Sequence, residues 1–356
     1  MVQGPEPGGV DASAPPAPPA AEGRLDGLDL ARGVAVVSML VAHLSPAGGV
    51  LTVSEYLTAP LFALVIGTSM GLRLASGRRS AGRFALDNLL RGLVLVVIGL
   101  VLQRLYSQID VILPHLGVLV VVLAPVALLL WRLPVLTVGV SVALAVLSPV
   151  LMERAREYAV ANLTGSDEAT RYLVGWVASG QHYRLTSLLP MALGGLALAA
   201  VLPRAGEPPR GYAIVSVLFG VSLGAYLVGD ASVDGARAYS GSTAEIVGAT
   251  FLAAGTVVLA FVVVALGRRW GVQRLLEPVL ATGRLALTAY TVQVVALALI
   301  AQARGGAQDD SWTVLGVTGL VVLGGCWALD RRWGTGPLEW LLHATRVPEP
   351  GRRDAG

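Results

Sequence analysis

Apolar residues run along this chain in long stretches separated by short polar breaks. A helix needs about 20 mostly apolar residues to cross a bilayer. Ten segments approach that length: residues 28–46, 54–75, 84–104, 111–131, 133–152, 185–202, 211–229, 244–267, 284–303 and 312–330. The fourth and fifth are separated only by Trp131-Arg132-Leu133-Pro134, which predicts a tight helical hairpin. The pattern predicts an all-α polytopic membrane protein with about ten transmembrane helices.

Composition supports that class. Hydrophobic residues make up 54% of the chain and charged residues 14%, against about 25% charged in a soluble domain; mean hydropathy is +0.69. Soluble enzyme, nucleic-acid reader and secreted disulfide scaffold are excluded as descriptions of the whole. The single cysteine, Cys326, lies in an apolar run, so it offers neither a disulfide framework nor a cysteine metal site. All 26 basic residues are arginine, which removes lysine as a Schiff base or general base.

Charge also sets the expected orientation. With the N-terminus inside, nineteen arginines fall in cytoplasmic segments and seven outside, namely Arg104, Arg154, Arg156, Arg171, Arg184, Arg237 and Arg304. That asymmetry satisfies the positive-inside rule and places both termini in the cytoplasm of a multi-pass protein of the plasma or inner membrane. Residues 1–23 hold six Pro, five Ala and four Gly and no basic residue. They read as a disordered cytoplasmic tail and lack the positive start of a cleaved signal peptide. Residues 24–345 form the membrane domain, and 346–356 a C-terminal cytoplasmic tail. One outer loop, about 153–184, is long enough to fold; Tyr158, Tyr172, Trp176 and Tyr183 give it an interfacial character. It reads either as a helix lying on the membrane or as a lid over an outward-facing site.

The first span carries the most chemistry. Ionisable groups within a span are costly and face a bundle interior or a wet cavity. Arg32 and His43 are eleven residues apart, so they share a helix face and differ by roughly 16 Å in height. Asp29, one turn before Arg32, is placed to pair with it. The layout suits a phosphate-rich donor arriving from the cytoplasm at Arg32 and an acceptor arriving from outside at His43, a natural general base. The structural alternative is an interfacial histidine with Arg32 as a positive-inside anchor.

Other residues carry similar pairs of readings. His115, after Pro114 at the outer start of the fourth span, either shares a cavity with His43 or is structural. His182 belongs to a polar outer cluster with Gln181, Tyr183 and Arg184 that suits a sugar or simple solvation. Asp87 and Arg91 are four apart in the favourable order for a helix pair; alternatively Arg91 grips donor phosphates beside Arg32. Tyr290 and Gln293 share a face of the ninth span, with Gln293 lining the cleft and Arg284 a cytoplasmic anchor near the donor. Gly220 and Gly224 form a small-x-x-x-small pair for close helix packing or a homodimer. No P-loop, dinucleotide glycine motif, zincin-type histidine pair or acidic metal cluster occurs.

The Leu28-Asp29-Leu30-Ala31-Arg32-Gly33 entry with His43 beyond it resembles the transmembrane acyltransferase superfamily, in particular heparan-α-glucosaminide N-acetyltransferase-like and YeiB-like bacterial membrane proteins. Leu61-Phe62-Ala63-Leu64-Val65-Ile66-Gly67, Arg91-Gly92 with Gly99, and Ile112-Leu113-Pro114-His115-Leu116-Gly117-Val118 continue the likeness. Gly180 to Tyr183 with Leu189-Pro190, Gly283-Arg284-Leu285-Ala286-Leu287-Thr288-Ala289-Tyr290 with Gln293, and Gly336-Pro337-Leu338-Glu339-Trp340 complete it. The resemblance covers nearly all of the chain after residue 23. It implies a multi-span enzyme that moves an acyl group, typically acetyl from acetyl-CoA, to an extracytoplasmic glycan or amino sugar. On that analogy His43, Arg32 and Asp29 are catalytic, Arg32, Arg91 and Arg284 hold acetyl-CoA, and His115, Tyr183 and Gln293 meet the acceptor. Members nearest the lysosomal enzyme often carry Asn at the position of His43 and place a catalytic histidine between the first two spans; residues 44–58 contain none here, so either His43 does the work or the activity differs. A transporter or lipid flippase is the rival reading, since polar groups on facing helices would serve it too.

Overall fold

The computed structural model describes residues 25–46, 49–77, 79–105, 110–163, 165–205, 210–231, 236–305 and 311–345, without the side chains of 49, 50 and 203–205. The tails expected at 1–23 and 346–356 lie outside the described residues. Thirteen α-helices and no strand occur among the described residues. They are α1 (Asp26–Leu44), α2 (Val53–Ala75), α3 (Ala81–Gln103), α4 (Leu113–Leu130), α5 (Pro134–Asn162), α6 (Glu168–Val174), α7 (Leu185–Ala205), α8 (Arg210–Asp230), α9 (Thr243–Arg269), α10 (Glu277–Arg284), α11 (Ala286–Ala303), α12 (Trp312–Trp333) and α13 (Pro337–Ala344). Ten of these, all but α6, α10 and α13, are long and apolar enough to cross a membrane. They fall on the ten segments that the hydropathy pattern marks.

Two boundaries differ from the sequence expectation, each for a physical reason. α5 continues past residue 152 to Asn162, because Glu153, Arg154, Arg156 and Glu157 end the apolar run without ending the helix. Arg154 and Glu157, three apart, pair at 3.2 Å on its exposed surface. The outer loop is therefore shorter and is itself built from α6 and a single π turn, Gly175–Ser179. The expected ninth span is broken at Leu285 (φ −107°, ψ 35°), so that α10 and α11 are separate helices. Arg284 therefore ends α10, on a different helix from Tyr290 and Gln293.

Burial divides the spans into two layers. Some 67% of the α1 spanning window is buried, and 61% of the windows of α2 and α7, against 6% for α8 and 17% for α12. The outer helices turn rows of Val and Leu outward, the arrangement expected where the surroundings are lipid tails.

Close backbone crossings fix the inner layer. A Cβ on Gly283 would overlap the Asp29 carbonyl oxygen, and one on Gly33 would overlap that of Val279, so α1 and α10 touch backbone to backbone. Gly67 and Gly195 do the same for α2 and α7. Gly220 and Gly224, expected to pack helices closely, meet nothing within 4 Å and lie exposed on lipid-facing α8. Within the chain that pair carries no packing; other glycines do.

The α10–α11 break is held by charge of the right sign at each end. Glu339 of α13 accepts hydrogen bonds from the Leu287 and Thr288 backbone N–H groups at 2.8 and 2.9 Å and from the Thr288 hydroxyl at 2.5 Å. The carboxylate thus caps the positive end of α11. Arg284, at the negative end of α10, donates to Asp330 (2.6 and 3.0 Å) and Glu277 (2.9 Å). With the α1–α10 crossing at Gly283, the Arg284–Asp330 contact brings the start of α1 and the end of α12 to one face of the bundle. His43 lies toward the other.

Candidate functional site

At the face where α1 starts, Asp29 is buried and pairs with Arg32 at 2.6 Å, as the spacing predicts. The other terminal nitrogen of Arg32 donates to Ser69 of α2 at 2.8 Å. Two contacts fix the guanidinium, and each terminal nitrogen keeps a second N–H for a ligand. The side chain remains 27% exposed.

Because α1 is unbroken from Asp26 to Leu44, His43 stands roughly 16 Å further along it. There the chain assembles a polar and aromatic cluster from distant segments. Asp110, just before α4, acts electrostatically on both His43 and His115, and on Tyr183, Tyr239 and Tyr290 as well. Its carboxylate also makes a hydrogen-bond contact with His182 Nδ1 in the loop before α7. The Tyr290 hydroxyl accepts from the Ile112 N–H at 3.1 Å and so ties α11 to this corner. The His115 ring lies edge-on to Tyr183 at 5.6 Å and to Trp176 at 6.3 Å between centroids.

Tyr239 completes the cluster under strain. Its φ of 63° makes it the non-glycine residue with left-handed backbone among the described residues, at a cost of about 1–2 kcal/mol. Arg184, buried to 1% exposure, holds it there by donating to the Tyr239 carbonyl at 2.6 Å and to that of Gly180 at 3.1 Å. The Tyr239 ring meets Tyr183 at 5.6 Å and His182 at 5.5 Å, both edge-on. Burial pushes the Tyr183 hydroxyl well up from its ordinary value and that of Tyr239 up to about 12. Both are therefore neutral donors at physiological pH. Burial also lowers Arg184 from its ordinary value.

Behind this cluster is a cavity of about 20 Å³, whose lining includes Glu55, His182, Arg184, Ser187, Tyr239 and Glu245. That volume holds a water or two. An acyl thioester would have to widen it.

The structure thus brings together His115 and Tyr183 from the expected set, has Asp110 act electrostatically on His43, and separately pairs Asp29 with Arg32. Arg91 is half-buried on α3, which packs on α4 and α11 and has no substantial interface with α1. Asp87, its expected partner, forms an ion pair with Arg79. Arg284 is engaged by two carboxylates. Gln293 is fully buried, and neither amide atom has a hydrogen-bond partner among the described residues. Sequence reasoning missed Asp110 and Tyr239. The first looks like ordinary loop polarity; the second shows its place only through a strained turn and partners 55 residues or more away.

Comparison with known proteins reaches the second half of the chain. Residues 207–347 match the family described as Protein of unknown function (DUF418). The match is consistent with the YeiB-like side of the resemblance and carries no acyltransferase name. It spans α8 to α13, including Tyr239, Tyr290, Gln293 and Glu339, and leaves out α1 with Arg32 and His43. No curated protein matches the chain.

Proposed function

We propose that this protein is a membrane-embedded acyltransferase that moves an acyl group, acetyl foremost, from cytoplasmic acyl-CoA to an extracytoplasmic glycan or amino-sugar acceptor. The observation that supports it is the pair of polar sites on one buried helix: a braced, partly exposed arginine near the start of α1 and a histidine inside an acid–aromatic cluster near its end. Arg32 binds donor phosphate through its remaining N–H groups, and the extended pantetheine arm carries the thioester toward His43. His43 takes the proton of the acceptor hydroxyl or amine. The acceptor oxygen or nitrogen attacks the thioester carbon, the carbon–sulfur bond breaks, and the thiolate leaves to be protonated as free CoA. Asp110 stabilises the imidazolium formed in that step. The acid–base role of His43 and a covalent acyl-histidine differ in kinetics: the second is ping-pong.

The test is thiol release from acetyl-CoA by the protein in nanodiscs, with and without an envelope glycan extract. Acceptor-dependent release that disappears in His43→Ala, with CoA binding retained, supports the reading. Absence of CoA binding at millimolar acetyl-CoA overturns it. A transporter or lipid flippase is the second reading, favoured by the α10–α11 break, since discontinuous helices with charged ends build many transport sites. Substrate flux without thiol release would select it.

A further inference from the structure

The corner where α12 ends and α13 begins carries a surface that the proposed chemistry does not use. One outward row of α12 reads Val317, Leu320, Val321, Gly324, Trp327 and Arg331, recurring every three or four residues. Trp327 stands roughly 10 Å along the axis from Leu320, and Arg331 roughly 6 Å beyond that. Aliphatic, then indole, then guanidinium is the order met on passing from bilayer hydrocarbon through the interface to the phosphates. The Arg331 guanidinium lies over the Trp327 ring at 5.5 Å, and that of Arg332 over the Trp333 ring at 5.7 Å. A Cβ on Gly324 would meet nothing within 4 Å, so the helix surface is bare one turn before Trp327.

The chain then turns back sharply. Gly334, with φ 65°, ends α12, and α13 packs Leu338 and Leu342 on the core. Trp333 and Trp340 are left 65% and 66% exposed. Exposed indoles at the end of a span suit the membrane interface, where one side of the ring is apolar and the N–H is wet. Asp330 and Glu339, the carboxylates of this corner, are turned inward to Arg284 and to the start of α11. The outward face is therefore positive.

We infer that this corner is a docking surface for anionic phospholipid, and that the docked lipid braces the cap on α11. The phosphate accepts hydrogen bonds from the Arg331 and Arg332 guanidinium forks, an acyl chain lies along Val321 and the bare surface at Gly324, and the Trp rings flank the glycerol level. A zwitterionic head group brings a cation to the same arginines and is the poorer match. Glu339, next to Trp340 on α13, holds the Leu287 and Thr288 N–H groups. A lipid that fixes α13 therefore fixes the α10–α11 break. None of this depends on the acyltransferase reading.

The experiment is native mass spectrometry of the full chain, released from micelles that hold phosphatidylglycerol and phosphatidylcholine in equal amounts. Wild type is expected to retain phosphatidylglycerol in preference. Arg331→Gln with Arg332→Gln is expected to lower that preference about tenfold or more, the scale of two charges near a lipid surface. Arg331→Lys with Arg332→Lys, which keeps the charges, is expected to keep most of it and shows that the corner is folded. Arg154→Gln with Arg171→Gln removes two charges from α5 and α6 and is expected to leave it unchanged. Equal retention of the two lipids by wild type, a preference unchanged in Arg331→Gln with Arg332→Gln, or an equal loss in both glutamine pairs would each overturn the docking surface. Thermal unfolding in nanodiscs tests the brace. Added phosphatidylglycerol is expected to raise the midpoint by several degrees in wild type and not in Arg331→Gln with Arg332→Gln. Preferential retention without that rise would overturn the brace.

Discussion

Among the buried polar side chains Arg184 serves the fold through its two terminal nitrogens, while its Nε finds no hydrogen-bond partner among the described residues. Its contacts hold Tyr239 in left-handed backbone and fasten the loop before α7 to the loop before α9. Arg184→Met keeps an unbranched apolar stem, is shorter, and loses both carbonyl bonds; it is expected to destabilise the protein by about 2–4 kcal/mol. Thermal unfolding in detergent, with loop proteolysis as a second readout, measures it. Tyr239 gives a pH dependence of known sign. Its hydroxyl is raised in the folded protein to about 12, so the stability gained by keeping it neutral is complete below the ordinary tyrosine value of about 10. That stability is lost as pH climbs through about 12. Tyr239→Phe is expected to flatten the fall in unfolding midpoint between those values; an unchanged slope would count against burial as the cause.

Among the elements, crossings matter more than propensities. Gly283→Ala places a methyl group against the Asp29 carbonyl oxygen and is expected to cost about 1–3 kcal/mol or more as α1 and α10 separate. It should also weaken CoA binding on the proposed reading, because Arg32 rides on α1 next to that contact. Gly220→Ala, in open space on α8, is expected to be neutral or slightly stabilising. Glu339→Gln keeps the shape of the α11 cap and removes its charge, for an expected loss of about 1–2 kcal/mol. Paired thermal-stability series on these variants test the packing scheme. The same elements show what was readable beforehand. All ten spans are legible because each is a continuous apolar run, a property of adjacent residues. So is the Asp29–Arg32 pair, whose partners are three apart on one helix. The α10–α11 break is not, since Leu285 is not a helix-breaking residue type and the break is held from outside by Glu339 and Asp330. Asp110 and Tyr239 acquire meaning only when loops far apart in sequence are brought to one corner.

At the scale of the whole molecule, the most buried helix, α1, carries Asp29 and Arg32 near one end and His43 near the other, while the outer helices turn Val and Leu outward. A transferase of this design separates its substrates by the thickness of the membrane. The most direct measurement uses sealed proteoliposomes holding the protein in one orientation, with labelled acetyl-CoA supplied only on the side where α1 starts and a glucosamine oligosaccharide only on the other. Acetylated saccharide is expected to appear on the acceptor side in wild type and to be absent in His43→Ala. Product that forms only when both substrates share a side, or equal product from His43→Ala, would contradict it.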